Sequence, residues 1–136
     1  MSIANRFVSA LLRSPLHRLL SGSTDVIRYR GRRSNRSIST PTQYVRDGDD
    51  IVILVARPET KTWWRNFRAG REVQVLLQGR WTSMTAQSVL GSEQPDRIGP
   101  LLDAYLSRFP KASRALGGGT NEDLVARAVV VHCRPR

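Results

Sequence analysis

Apolar residues recur with two different periods along this chain, and the change of period divides it into helices and strands. Residues 2–13 carry apolar side chains three and four positions apart, which predicts an amphipathic helix. From Asp25 to Arg30 apolar and polar residues alternate, which predicts a half-exposed strand. Residues 94–109 return to the helical spacing and predict a long helix, which Pro110 follows.

Five further segments have the composition or spacing of strands. They are residues 37–46, 51–56, 73–77, 81–90 and 126–132. Pro41 has no N–H to give to a sheet, so it predicts an edge, a bulge or a break. The Asp47-Gly48 pair predicts a two-residue hairpin turn, because both residues tolerate a positive φ. The run 51–56 is apolar throughout and predicts a central strand covered on both faces.

Together these elements predict one domain of the mainly β (α+β) class. About six mostly antiparallel strands, joined by hairpins, would curl into a small barrel. An N-terminal helix, a short helix that bears Trp63 and Trp64, and the longer helix would accompany the sheet. We place the barrel domain at residues 24–136 and an amphipathic helical segment at residues 1–23.

The N-terminal segment has three open interpretations. It could pack on the core of the domain, or residues 2–20 could lie on an anionic membrane with apolar side chains inserted. It is also rich in Arg and Ser and free of acids up to Asp25, which is typical of a transit peptide. No apolar run approaches the roughly 18 residues of a membrane span. The lone Cys133 fits a reducing cytoplasm, so we expect a cytoplasmic protein, with or without peripheral membrane contact.

Positive charge is concentrated in the first quarter of the chain. The whole sequence has 22 basic and 11 acidic side chains and a net charge of +11. Residues 1–36 hold eight arginines against one acid and so carry +7. Such a field favours anionic partners, whether a phosphate-bearing cofactor, a nucleic acid or an anionic lipid.

Catalytic groups of the protein's own are scarce. His17 and His132 are far apart in the sequence, and Cys133 follows His132, so these two point to opposite faces of a strand. This spacing does not suit a metal site, and no nucleophile motif or phosphate-binding glycine loop occurs. If the protein is an enzyme, a cofactor must therefore carry out the difficult step.

The segment 29–67 combines basic, hydroxyl-bearing and aromatic residues. Gly31 lets the backbone turn, and the forked donors of Arg32 and Arg33 suit a phosphate, although a solvated basic loop would have the same composition. Trp63 and Trp64 would point about 100° apart on a helix, so one could anchor the core while the other walls a cleft. Aromatic residues beside a basic surface could also stack nucleic-acid bases.

Five motifs occur in a definite order along the chain. They are Gly31-Arg32-Arg33-Ser34, Thr40-Pro41, Tyr44-Val45-Arg46-Asp47-Gly48, Trp63-Trp64-Arg65-Asn66-Phe67 and Arg108-Phe109-Pro110. In this order they resemble the deazaflavin-dependent nitroreductase and quinone reductase family, and its short-loop subgroup in particular. The resemblance implies an actinobacterial split β-barrel that binds 8-hydroxy-5-deazaflavin, with FMN as the less favoured cofactor.

The resemblance also implies which residues contact the cofactor. They are Arg32, Arg33, Ser34, Pro41, Gln43, Val55, Ala56, Arg57, Lys61, Trp63 and Asn66. Arg32 and Arg33 would meet the phosphate or polyglutamate tail, and Pro41 and Gln43 would line the ring site. Residues 55–57 would offer backbone contacts, and the Trp63–Asn66 turn would close the site.

The chain departs from the family pattern at four places. Asn35 stands where the family often has glycine, Ile38 replaces a basic residue, Gln43 replaces an aromatic residue, and Arg57-Pro58-Glu59-Thr60 replaces a longer serine–lysine–glycine loop. We expect a homodimeric reductase that transfers hydride from the reduced deazaflavin to a quinone-like, nitro or other conjugated small hydrophobic acceptor. A catalytically silent carrier of a flavin-like, haem or lipid ligand, or a nucleic-acid-binding module, is the alternative.

Overall fold

The computed structural model describes residues 24–136. The predicted helix at residues 2–13, and the segment 1–23 that contains it, lie outside the described residues. Within the described part, one sheet of seven strands is accompanied by two α-helices and three 3₁₀ helices. The strands are β1 (Thr24–Arg30), β2 (Ser37–Gln43), β3 (Val45–Asp47), β4 (Asp50–Leu54), β5 (Arg71–Leu77), β6 (Arg80–Leu90) and β7 (Val129–Pro135). The α-helices are α1 (Pro95–Arg108) and α2 (Asn121–Arg127), and the 3₁₀ helices are Pro58–Thr60, Trp63–Phe67 and Pro110–Leu116.

The two edges of the sheet are separated by one residue of the chain, Tyr44. The strand order is β2-β1-β5-β6-β7-β4-β3, and every neighbouring pair is antiparallel. Since consecutive Cα atoms are only about 3.8 Å apart, the edges β2 and β3 must lie close together. The sheet therefore curls into a half-barrel.

The predicted strand 37–46 is the main difference from the expected sheet. It divides at Tyr44, whose buried side chain joins the inner core, and this division gives seven strands instead of about six. Pro41 lies within β2, opposite Val26, on an edge of the sheet, so the predicted edge position is confirmed. The mainly antiparallel sheet is confirmed as well.

Two large apolar cores lie on the two faces of the sheet, and a small third cluster joins Val26 and Leu76 with Trp81 packed against them. The inner core fills the half-barrel and includes Phe67, while the outer core packs α1 against the sheet. Strand β4 contributes to both. Ile51 and Ile53 point inward, and Val52 and Leu54 point outward. The prediction of a central strand covered on both faces is therefore confirmed.

His132 and Cys133 lie on opposite faces of β7, as predicted. Cys133 is fully buried in the inner core. His132 lies in a polar network on the other face, with Nε2 2.8 Å from Asp50 Oδ2 and Nδ1 3.3 Å from an Arg97 nitrogen. Because a guanidinium can only donate, Nδ1 accepts from Arg97 and Nε2–H donates to Asp50. The network fastens α1 to the sheet.

The helical and hairpin predictions are wrong in detail at two places. The single short helix expected after Pro58 forms two 3₁₀ helices, because Lys61 is extended (φ −122°, ψ 149°) and interrupts them. Asp47 pairs with Asp50, so the central residues of the hairpin turn are Gly48 and Asp49, one position later than predicted.

The predicted strand 126–132 begins too early. Residues up to Arg127 belong to α2, which opens with a capping box between Thr120 and Asp123, and β7 begins at Val129. Apolar residues at 124–126 continue into the strand, which conceals the boundary in the sequence. Among residues 24–136, no helix has the length and apolarity needed to cross a membrane.

Candidate functional site

A cleft of about 240 Å³ lies where the β1–β2 turn meets the second 3₁₀ helix. We call it the Arg32 cleft. Its lining residues are Tyr29, Gly31, Arg32, Arg33, Ser34, Ile38, Thr62, Trp63 and Asn66. Five of the predicted cofactor residues (32, 33, 34, 63 and 66) are thus brought together in one place.

Asn66 joins the two sides of this cleft. Its Oδ1 accepts a hydrogen bond from the Arg32 backbone N–H at 2.7 Å, and its Nδ2 donates to the Trp63 carbonyl at 2.7 Å. The Arg32 guanidinium also donates to the Thr62 carbonyl at 3.3 Å. The arginine turn is therefore fixed to the tryptophan helix through polar contacts, which orient the guanidinium before any ligand binds.

The β1–β2 turn has a tightly specified backbone. The Gly31 N–H donates to the Arg36 carbonyl at 2.9 Å, and Asn35 adopts a left-handed conformation with φ 55°. A Cβ atom at Gly31 would lie 2.8 Å from Ser34 Oγ and 2.9 Å from the Ile38 side chain. A larger residue at this position would therefore require the Ser34 and Ile38 side chains to move.

Aromatic rings form the wall of the cleft beside the arginines. Trp63 is half-buried and packs edge-on against Phe67, with ring centroids 6.0 Å apart. Tyr29 packs edge-on against the same ring at 4.9 Å. Burial raises the pKa of the Tyr29 hydroxyl, which keeps it neutral beside the arginines. The cleft thus presents fixed positive charge next to an apolar surface.

A second and larger cleft, of about 680 Å³, lies near the end of β4. We call it the Arg57 cleft. Its lining residues are Arg57, Pro58, Glu59, Trp64, Arg114, Leu116, Gly117, Arg127 and Val129. Trp64 is buried in the inner core and Trp63 borders the Arg32 cleft, which is the division that the sequence suggested. Trp64 also borders the Arg57 cleft, which the sequence did not suggest.

The remaining predicted residues lie outside the Arg32 cleft. Pro41 and the exposed Gln43 are on edge strand β2, and Gln43 Oε1 accepts from the Tyr105 hydroxyl at 3.4 Å. The N–H of Val55 donates to the Val129 carbonyl at 2.9 Å, so it is occupied by the sheet. Ala56 is half-buried in the bend after β4, and Lys61 is exposed between the two 3₁₀ helices.

Arg114 and Arg127 were not predicted as site residues. They come from the 3₁₀ helix 110–116 and from α2, far along the chain from Arg57. The T-x-x-D pattern from Thr120 to Asp123 is a capping-box signal that could have placed α2 correctly. No sequence pattern connects these arginines to Arg57, because only the fold brings them together.

Asp25 is a further buried polar residue that the sequence analysis did not single out. It is fully buried, Thr42 Oγ donates to its Oδ1, and its Oδ2 has no hydrogen-bond partner within the described part of the chain. Burial raises the pKa of this carboxyl to about 7. Burial and the nearby Asp25 also raise the pKa of Tyr105 to about 12.

The curled antiparallel sheet with its helices has the architecture of a small split β-barrel, and the basic, aromatic-walled Arg32 cleft is its candidate site. The sequence profile of the family described as F420H(2)-dependent quinone reductase matches residues 12–114. The chain therefore belongs to this family. It is a reductase that depends on the reduced deazaflavin named in the family description, so the predicted family, enzyme class and cofactor are confirmed. No curated protein sequence matches the chain significantly.

Solved structures with the same fold are distant in sequence. One, described as a domain-swapped dimer, is 13% identical with a TM-score of 0.62 and covers 96% of this chain and 93% of its own. A structure described as F420-H2 Dependent Reductase (FDR-A) is 14% identical with a TM-score of 0.61, over 82% of this chain and 94% of its own. A protein of unknown function from Agrobacterium tumefaciens is 19% identical with a TM-score of 0.54, over 97% of this chain and 53% of its own. These likenesses confirm the split β-barrel fold.

Proposed function

We propose that this reductase holds the anionic tail of its deazaflavin in the Arg32 cleft and transfers hydride to a quinone-like, nitro or other conjugated acceptor. The observation that carries the proposal is the polar junction of Arg32, Asn66 and Trp63. It brings two of the five motifs of the family resemblance, 31–34 and 63–67, into one site. The proposed cofactor contacts in this cleft are Arg32, Arg33, Ser34, Trp63 and Asn66.

The chemistry of the cleft fits the anionic part of the cofactor. Guanidinium forks bind phosphate or carboxylate oxygens, and the Arg32 fork is already oriented by Thr62. A volume of about 240 Å³ is below the roughly 300–1,000 Å³ of a cleft for a whole small molecule. The cleft therefore suits the tail, and the ring would lie outside it.

The ring site remains a prediction at Pro41, Gln43, residues 55–57 and Lys61. Gln43 and the arginine turn are at opposite ends of the β1–β2 hairpin, six residues apart along β2, or roughly 20 Å. A long cofactor would have to follow edge strand β2 to use both. Within residues 24–136, no backbone hydrogen bond uses the N–H of Ala56 or Arg57, which leaves both amides for a ligand.

The bound reduced deazaflavin supplies a hydride, and with one proton from solvent this hydride converts a quinone into its quinol. The protein contributes positioning and electrostatics. Arg32 and Arg33 neutralise the tail, and Trp63 restricts the access of water to the cleft. The free amides after β4 would polarise the acceptor or the ring through hydrogen bonds.

A titration of the purified protein with oxidised deazaflavin, followed by tryptophan fluorescence, tests the proposal. We expect a saturable change at micromolar cofactor and a weaker response to FMN. No saturable change at micromolar concentrations would overturn the cofactor site. Binding without oxidation of the reduced cofactor by any quinone or nitro acceptor would identify a silent carrier.

The assembly and the N-terminal segment are the remaining parts of the proposal. We propose a cytoplasmic homodimer, and light scattering of the purified protein would measure its mass. We also propose that residues 2–20 make peripheral contact with anionic membranes, with packing on the core of the domain as the alternative. Deletion of residues 1–13 should then abolish sedimentation with anionic vesicles and leave deazaflavin binding unchanged. Loss of both would place the segment in the cofactor site.

A further inference from the structure

The Arg57 cleft has an excess of positive charge over an apolar floor. Three arginines line it against one carboxylate, Glu59, and its floor includes Trp64, Leu116 and Val129. Trp64 is held in place because its Nε1 donates to the Pro58 carbonyl at 2.9 Å. A ligand with an apolar body and an anionic group would complement both parts of this surface.

The three arginines have no carboxylate partner at ion-pair distance within residues 24–136. The ion pairs of this part involve Arg68, His132 and Arg136. Arg127 is the best fixed of the cleft arginines: its Nε donates to the Asp123 carbonyl at 3.1 Å, and another nitrogen donates to the Gly118 carbonyl. Such bonds to carbonyls orient a guanidinium without neutralising it, although the Asp123 carboxylate, whose pKa is lowered by hydrogen bonds with Thr120 and partly by Arg127, offsets part of the Arg127 charge.

The backbone around the cleft is specialised to present these side chains. Arg57 adopts a left-handed conformation, with φ 52° and ψ 61°, which is uncommon for a residue with a side chain. Thr60 stabilises it, because its N–H and its Oγ both donate to the Arg57 carbonyl. Glycine would adopt this conformation with less strain, and a strained residue of this kind is a candidate for a functional role.

Gly117 leaves space for the guanidinium of Arg127. It has φ 88°, and a Cβ atom there would lie 3.0 Å from Arg127 Nη1. The glycine run 117–119 therefore encloses the guanidinium as well as turning the chain. This run is a conspicuous motif of the sequence that the proposed cofactor site does not use.

We propose that the Arg57 cleft is the acceptor site and that the preferred acceptors are conjugated carbonyl compounds carrying a carboxylate. The inference rests on the proposed function. The carboxylate would bind between Arg57, Arg114 and Arg127, and the conjugated body would lie over Trp64. Hydride and one solvent proton reduce the quinone to the quinol, while the carboxylate is unchanged.

The arrangement of the two clefts favours a separate ligand in each. Trp63 and Trp64, adjacent in one 3₁₀ helix, line different clefts, so the two sites share one wall. The Arg32 cleft already offers fixed cations for the tail of the cofactor. Hydride transfer needs the acceptor next to the ring of the cofactor, and Arg57, at the end of the proposed ring contacts 55–57, lines the Arg57 cleft.

Two probes and three variants test the inference. The probes are a neutral naphthoquinone and the same naphthoquinone bearing a carboxylate, titrated into the full-length protein without deazaflavin. NMR shows which cleft a probe occupies. Ligands in the Arg57 cleft should shift the backbone amide signals of Gly117–Gly119, whereas ligands in the Arg32 cleft should shift that of Gly31. The variants are Arg114→Gln, Arg57→Gly and, as a matched control, Lys111→Gln. Lys111 is exposed in the same 3₁₀ helix as Arg114 but does not line the cleft.

We expect the carboxylated probe to shift the Gly117–Gly119 signals and to bind about fivefold more weakly to Arg114→Gln. Lys111→Gln and the neutral probe should show no such change. Arg57→Gly should also weaken binding of the carboxylated probe while raising the melting temperature of the protein. The higher melting temperature would exclude unfolding as the cause of the weaker binding. In turnover, Arg114→Gln should raise the KM for the carboxylated acceptor and leave the KM for the neutral quinone unchanged, as Lys111→Gln should for both.

Three results would overturn the inference. The first is equal affinity for both probes, and the second is equal affinity of Arg114→Gln and the parent protein for the carboxylated probe. The third is displacement of the carboxylated probe by deazaflavin together with a shift of the Gly117–Gly119 signals by deazaflavin, since the cleft would then hold the tail of the cofactor. Failure of deazaflavin to bind at all, with the carboxylated probe still at Gly117–Gly119, would instead refute the cofactor site and retain the anion site.

Discussion

The backbone N–H of Arg32 donates to the side-chain oxygen of Asn66 at 2.7 Å, across 34 positions of the sequence. The same amide donates from its nitrogen to the Trp63 carbonyl. One side chain therefore sets the distance between the basic turn and the aromatic wall. The geometry of the proposed tail site depends on this amide more than on any single arginine.

Replacement of Asn66 by alanine should weaken deazaflavin binding while the fold is retained. The change removes two hydrogen bonds in a partly exposed site, which should lower the free energy of unfolding by about 1–2 kcal/mol. We expect the dissociation constant for oxidised deazaflavin to rise roughly tenfold, since about 1.4 kcal/mol corresponds to that factor. Gln74→Ala is the control, because it removes a half-buried amide that donates to Ser83 and does not line the Arg32 cleft. Equal effects of the two variants would contradict the role of Asn66.

Arg33 and Arg36 offer a matched pair within one turn. Both are exposed, but only Arg33 lines the Arg32 cleft. We expect Arg33→Gln to weaken deazaflavin binding about fivefold, because one guanidinium contact to an exposed anion is lost. Arg36→Gln removes the same charge and should have a smaller effect. Titrations at low and high salt check this: a general charge effect would make the two variants equal and would vanish at high salt.

Gly91 is a point of very close packing between β6 and α2. Its N–H donates to the Ala128 carbonyl at 2.9 Å, and a Cβ atom would fall 1.6 Å from the Val125 carbonyl oxygen. Gly91→Ala should therefore lower the free energy of unfolding by about 1–3 kcal/mol or more. Gly99→Ala is the control, since Gly99 lies in α1 with open space around it. Gly99→Ala should change the free energy of unfolding by less than about 1 kcal/mol, because its gain in helix propensity is opposed by Pro100, which disfavours a helical residue with a Cβ before it. Urea unfolding of both variants tests the contrast.

Asp25 should make stability depend on pH in an unusual direction. Its pKa rises from 3.8 to about 7 on folding because of burial, so the folded state binds the proton more tightly than the unfolded state. The contribution of Asp25 to the free energy of unfolding is full below pH 4 and is lost as the pH rises to about 7. The loss amounts to at most about 4 kcal/mol.

Asp25→Asn removes this titration and keeps an oxygen that can accept from Thr42. The parent protein should therefore lose stability relative to Asp25→Asn between pH 4 and pH 8, as measured by urea unfolding. A difference between the two proteins that stays constant over this range would show that Asp25 does not titrate as described.

The sequence by itself determined the class of the fold and half of the proposed site. Alternation from Asp25 to Arg30 and the apolar run at β4 fix strands because side chains on a strand point to opposite faces. The motif of Arg32 and the motif of Asn66 could be paired from the resemblance. Their joint placement in one cleft agrees with it.

Only the tertiary structure decided how distant segments meet. The break at Tyr44 follows from closure of the half-barrel, which no local pattern encodes. The gathering of Arg114 and Arg127 around Arg57 likewise depends on the packing of α2 and of the 3₁₀ helix before it. Local spacing reflects contacts within a few residues, whereas a cleft is made of contacts across the whole chain, and these are set by the core that the chain buries.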